Sequence, residues 1–186
     1  LGGLDEDGKN MYVVEVNDSM FIIEAGLKYP DSSQQLGIEF VIPDFDYVIK
    51  NKDKLKGIFI THAHDDVVAA LPYLLKEVKA PIYTGAFSAN VIHEMLKKEK
   101  IRDVKVNRLK RNSKVTIDGV KVQTFPLIHS VPDTFGLAIM TSEGAIVYTS
   151  EFIIDYDMSS GIFESDFSEL TAIGKKGVLA LLSESQ

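Results

Sequence analysis

Residues 60–71, ITHAHDDVVAAL, put two histidines and two aspartates between a strand-like run and a helix-like run. That juxtaposition constrains the fold more than any other feature of the chain. Residues 57–61, GIFIT, read as a buried strand entered from a lysine-rich turn. Residues 65–78 then read as a helix, with Asp65 or Asp66 as its N-cap and a bend or break at Pro72. A polar cluster squeezed between two buried elements belongs at a strand end, where a rigid frame can aim its side chains. In an extended stretch, His62 and His64 share a face at i and i+2, and the turn brings Asp66 close. The chain has four histidines, and the other two are His93 and His129. His129 lies just past the strand-like run 120–127, in PLIHSVPD, whereas His93 sits among lysines and glutamates and reads as a surface residue. Imidazoles and carboxylates are ligands that zinc and manganese accept, and with no cysteine in the chain thiolate ligation is excluded.

The rest of the chain supplies sheets and a few helices. Residues 12–16 and 20–23 flank Asn17-Asp18 and predict a hairpin. Residues 80–85 predict a short buried strand, and 87–100 predict a helix with Val91, Ile92, Met95 and Leu96 on its apolar face. Further strands are expected over 104–109, 114–117, 120–127, 135–141 and 145–148, then a short helix near 167–173 and a last strand over 178–182. This pattern predicts an α+β architecture of sheets covered by helices.

Composition narrows the function classes. A formal net charge of −7 argues against tight nucleic-acid binding by the surface as a whole. Nine basic residues between Lys97 and Lys114, against only Glu99 and Asp103, form a local exception that reads as a solvated face. No apolar run approaches the ~18 residues of a membrane span, nothing resembles a signal peptide, and a cytoplasmic location is expected. The first residue is Leu1, and the last follows an apolar run by a few positions, so a piece of a longer protein is expected.

THAHDD after an apolar strand, followed by ALPYLL and APIYTG, resembles the metallo-β-lactamase fold in its ribonuclease form. LGGLDEDGKNMYVVEV, FIIEAGLKYP, LGIEFVIPDFDYV, IHSVPDTFGLAI, VYTSEFIID and GKKGVLALLSES resemble, in order and spacing, the bacterial ribonuclease J family of β-CASP ribonucleases. The resemblance implies a metallo-β-lactamase-type αββα sandwich. Residues 1–186 would form one partial domain of it, ending where a β-CASP insert begins. It also implies zinc, or manganese, activating a water against an RNA phosphodiester. Metal ligands would be His62, His64, Asp66, His129 and Glu151, with catalytic roles for Asp66 and His129.

Several positions depart from the family pattern. Val67 stands where the pattern has a histidine, Glu151 where it has a bridging aspartate, and Ser150 where it has a glycine. Glu24 and Glu184 replace aspartates, and Ala69 and Ala70 replace glycines. Losing one ligand of a two-ion site lowers both metal affinity and the clamping of phosphate. The second ion is therefore expected to be lost, leaving one zinc or none. The sequence resembles the weaker of two paralogues. It is expected to work on RNA mainly as a partner of an active ribonuclease J subunit, and as a homodimer when full length. A working one-ion or manganese-dependent exo- and endoribonuclease is the alternative, and a hydrolase of small esters or lactams is a third reading.

Overall fold

The computed structural model describes residues 1–30, 36–155 and 166–183; Glu184 lies outside them. β1 (Tyr12–Val16) and β2 (Ser19–Ile23) form the expected antiparallel hairpin, with Asn17 in the left-handed conformation that a tight turn asks for. β3 (Leu55–Ile60), β4 (Ile82–Thr84) and β5 (Val106–Arg108) add in parallel, giving a sheet of order β1-β2-β3-β4-β5. A second sheet is an antiparallel meander of β6 (Lys114–Ile117), β7 (Val120–Pro126), β8 (Phe135–Met140) and β9 (Ala145–Tyr148). β10 (Val178–Leu182) joins its edge in parallel to β9.

Side-chain alternation along the central strands sets the layers. Met20, Ile22, Ile58 and Ile60 point to one side, where they pack with Val48 of α1 (Asp46–Lys50), Leu71 and Leu74 of α3 (Leu71–Glu77) and Ile92 of α4 (Ala86–Lys98). Phe21, Ile23 and Phe59 point to the other side and meet Val122, Phe135, Leu137 and Ile139 of the second sheet. Behind that sheet, Phe125, Ala138 and Val147 pack on Ile173 of α5 (Ser168–Lys176). Because β2 is buried on both faces, its sequence is continuously apolar after Ser19 instead of alternating. The layers run helix, sheet, sheet, helix, which is the expected αββα sandwich.

Two expectations need correction. The helix over 65–78 is split into α2 (Asp65–Val68) and α3, and its N-cap is His64, with neither Asp65 nor Asp66 capping. The Ala70 amide donates to the Ala25 carbonyl beyond β2, which takes it out of a helical ladder. The expected break near Pro72 is present, with Pro72 in the first turn of α3, where a missing amide hydrogen costs nothing. The strand over 178–182, whose apolar run suggests a core position, lies at a sheet edge, with Val178, Leu179 and Leu181 exposed by 44%, 53% and 62%.

Candidate metal centre

Backbone bonds fix the α2 turn before any side chain contributes. Past β2, Ala25 donates to Val67 and Leu27 donates to Asp65, and ahead of β1 Asn10 donates to Asp66. Gly26 allows this approach, since a Cβ there would lie 1.5 Å from the Asp66 carbonyl oxygen. The segments leaving β7 and β9 are tied by a bridge between Ile128 and Ile153, which sets His129 beside Glu151. The turns after β2, β3, β7 and β9 thereby meet at one end of the sandwich.

Three imidazoles face one another there in an almost equilateral arrangement. Ring centroids are 4.8 Å apart for His62 and His64, 4.7 Å for His62 and His129, and 4.8 Å for His64 and His129. Glu151 Oε2 closes the group at 3.0 Å from His129 Nε2, 3.7 Å from His62 Nε2 and 3.8 Å from His64 Nδ1. His129 Nε2 and His64 Nδ1 are 3.1 Å apart. Ligand atoms about 2.1 Å from a tetrahedral ion stand about 3.4 Å from each other. The observed spacings bracket that value. Among the described residues, this is the one His and carboxylate group whose ligand atoms all lie within 4.8 Å of one another.

The electrostatics also suit a cation. Burial first, and then His129 and His64, push the His62 pKa down to about 3. His129 is lowered by burial and by His64, against the opposing pull of Asp66. These two rings are therefore neutral at neutral pH, with lone pairs to offer. His62 Nε2 is fully buried and has no hydrogen-bond partner among the described residues. A buried polar atom left bare inside a ring of donors is what a metal ligand looks like without its ion. His62, His64, His129 and Glu151 fit one ion.

The neighbouring position is built differently. Asp66 stays outside the four-residue group and accepts a bond from Asn10 Nδ2 at 3.1 Å. Asp65 accepts from the Tyr29 hydroxyl at 2.6 Å. Val67 is 1% exposed and brings no lone pair. A cleft of ≈ 600 Å³ opens beside the centre, lined by Asp7, Lys28, Tyr29, Asp65, Asp66 and Glu151 among others. His93 is exposed on α4, its Nδ1 on the Ala89 carbonyl.

Sequence reasoning missed the groups that orient the ligands. Ser130 Oγ lies 3.3 Å from His64 Nε2. Thr61 Oγ1 lies 3.0 Å from His62 Nδ1, 2.8 Å from Ser150 Oγ and 2.5 Å from Glu24 Oε1. Burial raises the Glu24 pKa well above the ordinary carboxylate range, against the pull of its two Thr61 hydrogen bonds. Glu24 and Ser150 both hold positive φ, 63° and 55°, a strained conformation that collects at functional sites. The one local signal was Glu24 at the end of the apolar run FIIEAG, since a carboxylate is seldom buried without a partner.

A beta-lactamase superfamily domain matches residues 34–157. Ribonuclease J 2 of Staphylococcus saprophyticus is 44% identical over all 186 residues, and that of Staphylococcus aureus 42%. The chain spans 33% of the length of each of these relatives. Among solved structures, zinc-bound PqqB from Methylobacterium extorquens superposes with a TM-score of 0.62 at 15% identity, over 94% of this chain and 59% of that one. The short form of human tRNase Z gives 0.56 at 15% identity, over 95% and 85%. The matching domain covers most of the chain, which belongs to the beta-lactamase superfamily and is similar over its full length to these ribonuclease J 2 proteins.

Proposed function

We propose that the chain belongs to a ribonuclease J-type protein of RNA processing and decay whose centre holds one ion and whose own hydrolytic activity is weak or nil. The observation that carries this reading is the contrast within residues 62–67. His62 and His64 converge with His129 and Glu151, while Val67 buries an isopropyl group beside them. Three imidazoles and a carboxylate suit zinc, and manganese accepts the same donors. A bound ion supplies a lowered water pKa and a clamp on a phosphodiester oxygen. The chain's own part is to keep His62 and His129 unprotonated, to orient His64 from Ser130, and to exclude water behind His62. The relatives' name supports RNA as the substrate. The full-length protein then acts in the cytoplasm mainly by assembling with an active ribonuclease J paralogue, and with itself.

Cleavage of a 5′-monophosphorylated RNA tests this. The full-length protein is expected to turn over at least about a hundredfold more slowly than its active paralogue, the scale of losing one clamp on the developing charge. The 186-residue chain alone is expected to cleave nothing. Rates equal to the paralogue's, abolished by H62A, would overturn the reading.

A working one-ion or manganese-dependent 5′-to-3′ exo- and endoribonuclease is the second reading, favoured by Asp66 and Glu151 lining the same cleft. In it Asp66 orients or deprotonates the attacking water. V67H separates the two: a large rise in RNA cleavage supports a decayed site, and no change supports a centre built around one metal.

A further inference from the structure

We propose that a basic strip along α4 binds single-stranded RNA outside the metal centre, with a cleft at the C-terminal end of the helix as its anchor and Phe87 as a base platform at the other end. The proposal rests on the reading that the protein works on RNA, and adds a contact surface that takes no part in hydrolysis.

The chain carries 27 acidic residues against 20 lysines and arginines. Lysines elsewhere, such as Lys9, Lys28, Lys56 and Lys76, each have a carboxylate oxygen within 3.6 Å. At the end of α4 the balance changes sign. A cleft of ≈ 300 Å³ is lined there by Lys97, Lys100 and Arg102 over Leu96, Ile101 and Val104. All three cations are exposed, and Lys100 and Arg102 form no ion pair among the described residues. Lys97 reaches Glu94 at 3.7 Å, with both side chains more than three-quarters exposed, which is worth little in water. Of the other acids nearby, Asp103 lines the cleft and Glu99 is held by Lys76 at 2.9 Å.

The turn that shapes the cleft ends the helix on a lysine. The Lys100 amide donates to the Lys97 carbonyl at 3.1 Å, and the Ile101 amide to the Leu96 carbonyl at 2.9 Å. This pairing puts Lys100 in the position just past the helix, with a φ of 57°, where glycine is the favoured residue. A side chain there strains the backbone. What the lysine adds instead is charge beside Lys97 and Arg102.

The strip continues toward the centre. Phe87, Asn90, Glu94 and Lys97 share the solvent face of α4 at spacings of three and four, and Glu94 is the one acidic residue of the helix. Arg108 of edge strand β5 joins them through a 2.8 Å bond to Asn90 Oδ1. Phe87, 44% exposed, stands at the end nearer the imidazoles, where its amide donates to Asp133 in the loop that carries His129. The 13 residues of α4 put the two ends ~20 Å apart. A strand laid along the helix thus meets phosphate-pairing cations and then an aromatic face. Proteins hold single strands with that combination without reading their sequence, and an acidic protein surface would have no use for the ring.

Fluorescence anisotropy of a 2′-O-methyl single-stranded RNA, which resists cleavage, measures binding to the 186-residue chain in chelator across a salt series. K97A/K100A/R102A should flatten the slope of log affinity against log salt by about 2, since each phosphate contact to a single strand contributes ~0.7. F87A should bind the RNA about tenfold more weakly and leave heparin, a polyanion without bases, unaffected. K100G separates binding from folding: its denaturant midpoint should rise as the turn loses its strain, while the salt slope flattens by about 0.7. An unchanged slope in the triple variant overturns the proposal. Wild-type RNA affinity in F87A, or equal weakening of RNA and heparin, also overturns it and marks the strip as a site for polyanions in general. Full-length protein that binds RNA equally well with and without the triple substitution sinks the strip alone, whereas full-length wild type that binds no RNA sinks the RNA reading and the strip with it.

Discussion

The two ends of the THAHDD turn share one backbone frame and have opposite fates. At its start, His62 and His64 point into open donor geometry with His129 and Glu151, and His62 Nε2 stays bare. At its end, Asp65 and Asp66 are taken up by Tyr29 and Asn10, and Val67 is sealed in the core. The bonds from Ala25 to Val67 and from Val67 to the His64 carbonyl hold both ends alike. On the one-ion reading proposed above, a ligand position is lost by changing one side chain while the scaffold that aimed it persists. The turn itself is held by main-chain bonds and Gly26 packing that need no metal.

The most severe break of this contrast is H62A. Removing one of four donors should weaken zinc binding at least about a thousandfold, given that a full zinc site is worth ~10 kcal/mol or more. Metal content after dialysis would show it, and retention of zinc by H62A would mean that the ion sits elsewhere.

Acid should weaken the first end through His62. His62 is held near 3, below the ordinary histidine value, so the unfolded chain binds its proton more readily than the folded one. Stability from this group is fully present above about pH 6.5 and falls toward pH 3, at up to about 1.4 kcal/mol per pH unit. Glu24 runs the other way. Its raised value means that the folded state holds a proton more tightly, so its contribution is lost as pH rises through that value. Urea unfolding of the metal-free chain at stepped pH would resolve the first slope, and H62Q should flatten it.

How much of this contrast was legible in the sequence follows from chain separation. His62 and His64 stood out because they sit two apart beside an apolar strand, and His129 because it follows another. Glu151 was visible only through family resemblance, since one glutamate among many has no local signature. The orienting groups were hidden: Glu24 meets Thr61 across 37 residues and Asn10 meets Asp66 across 56. The same effect misled the helix reading. Asp65 and Asp66 are good N-caps by local preference, but long-range partners claimed both carboxylates, and His64 took the cap position. Sheets covered by helices were readable from the pattern of elements, and the αββα order through the family resemblance; the strand at 178–182 was readable too, but not its edge position, because an apolar run reads the same at an edge as in a core.

V67H probes the second end. An imidazole forced into a site 1% exposed should cost about 1–3 kcal/mol of metal-free stability by overpacking. Excess zinc should restore part of the loss as a second ion joins the first, since binding to the folded state alone stabilises it. Thermal melts with and without zinc would show both effects. No destabilisation would mean that the pocket around Val67 has room to spare.

Ser150 gives the smallest effect and isolates strain from chemistry. Its φ of 55° is unfavourable for any residue with a Cβ by about 1–2 kcal/mol, and its hydroxyl bond to Thr61 offsets this by about 1 kcal/mol. S150A keeps the strain and loses the bond, while S150G loses both and adds the greater unfolded-state entropy of glycine. S150G should therefore be more stable than S150A by about 0.5–1 kcal/mol, the reverse of the order found inside regular helices and strands. Denaturant midpoints of the two variants would measure the difference. If alanine proved the more stable, the turn would have relaxed out of the left-handed region, and Glu151 would have lost the backbone that aims it at the three histidines.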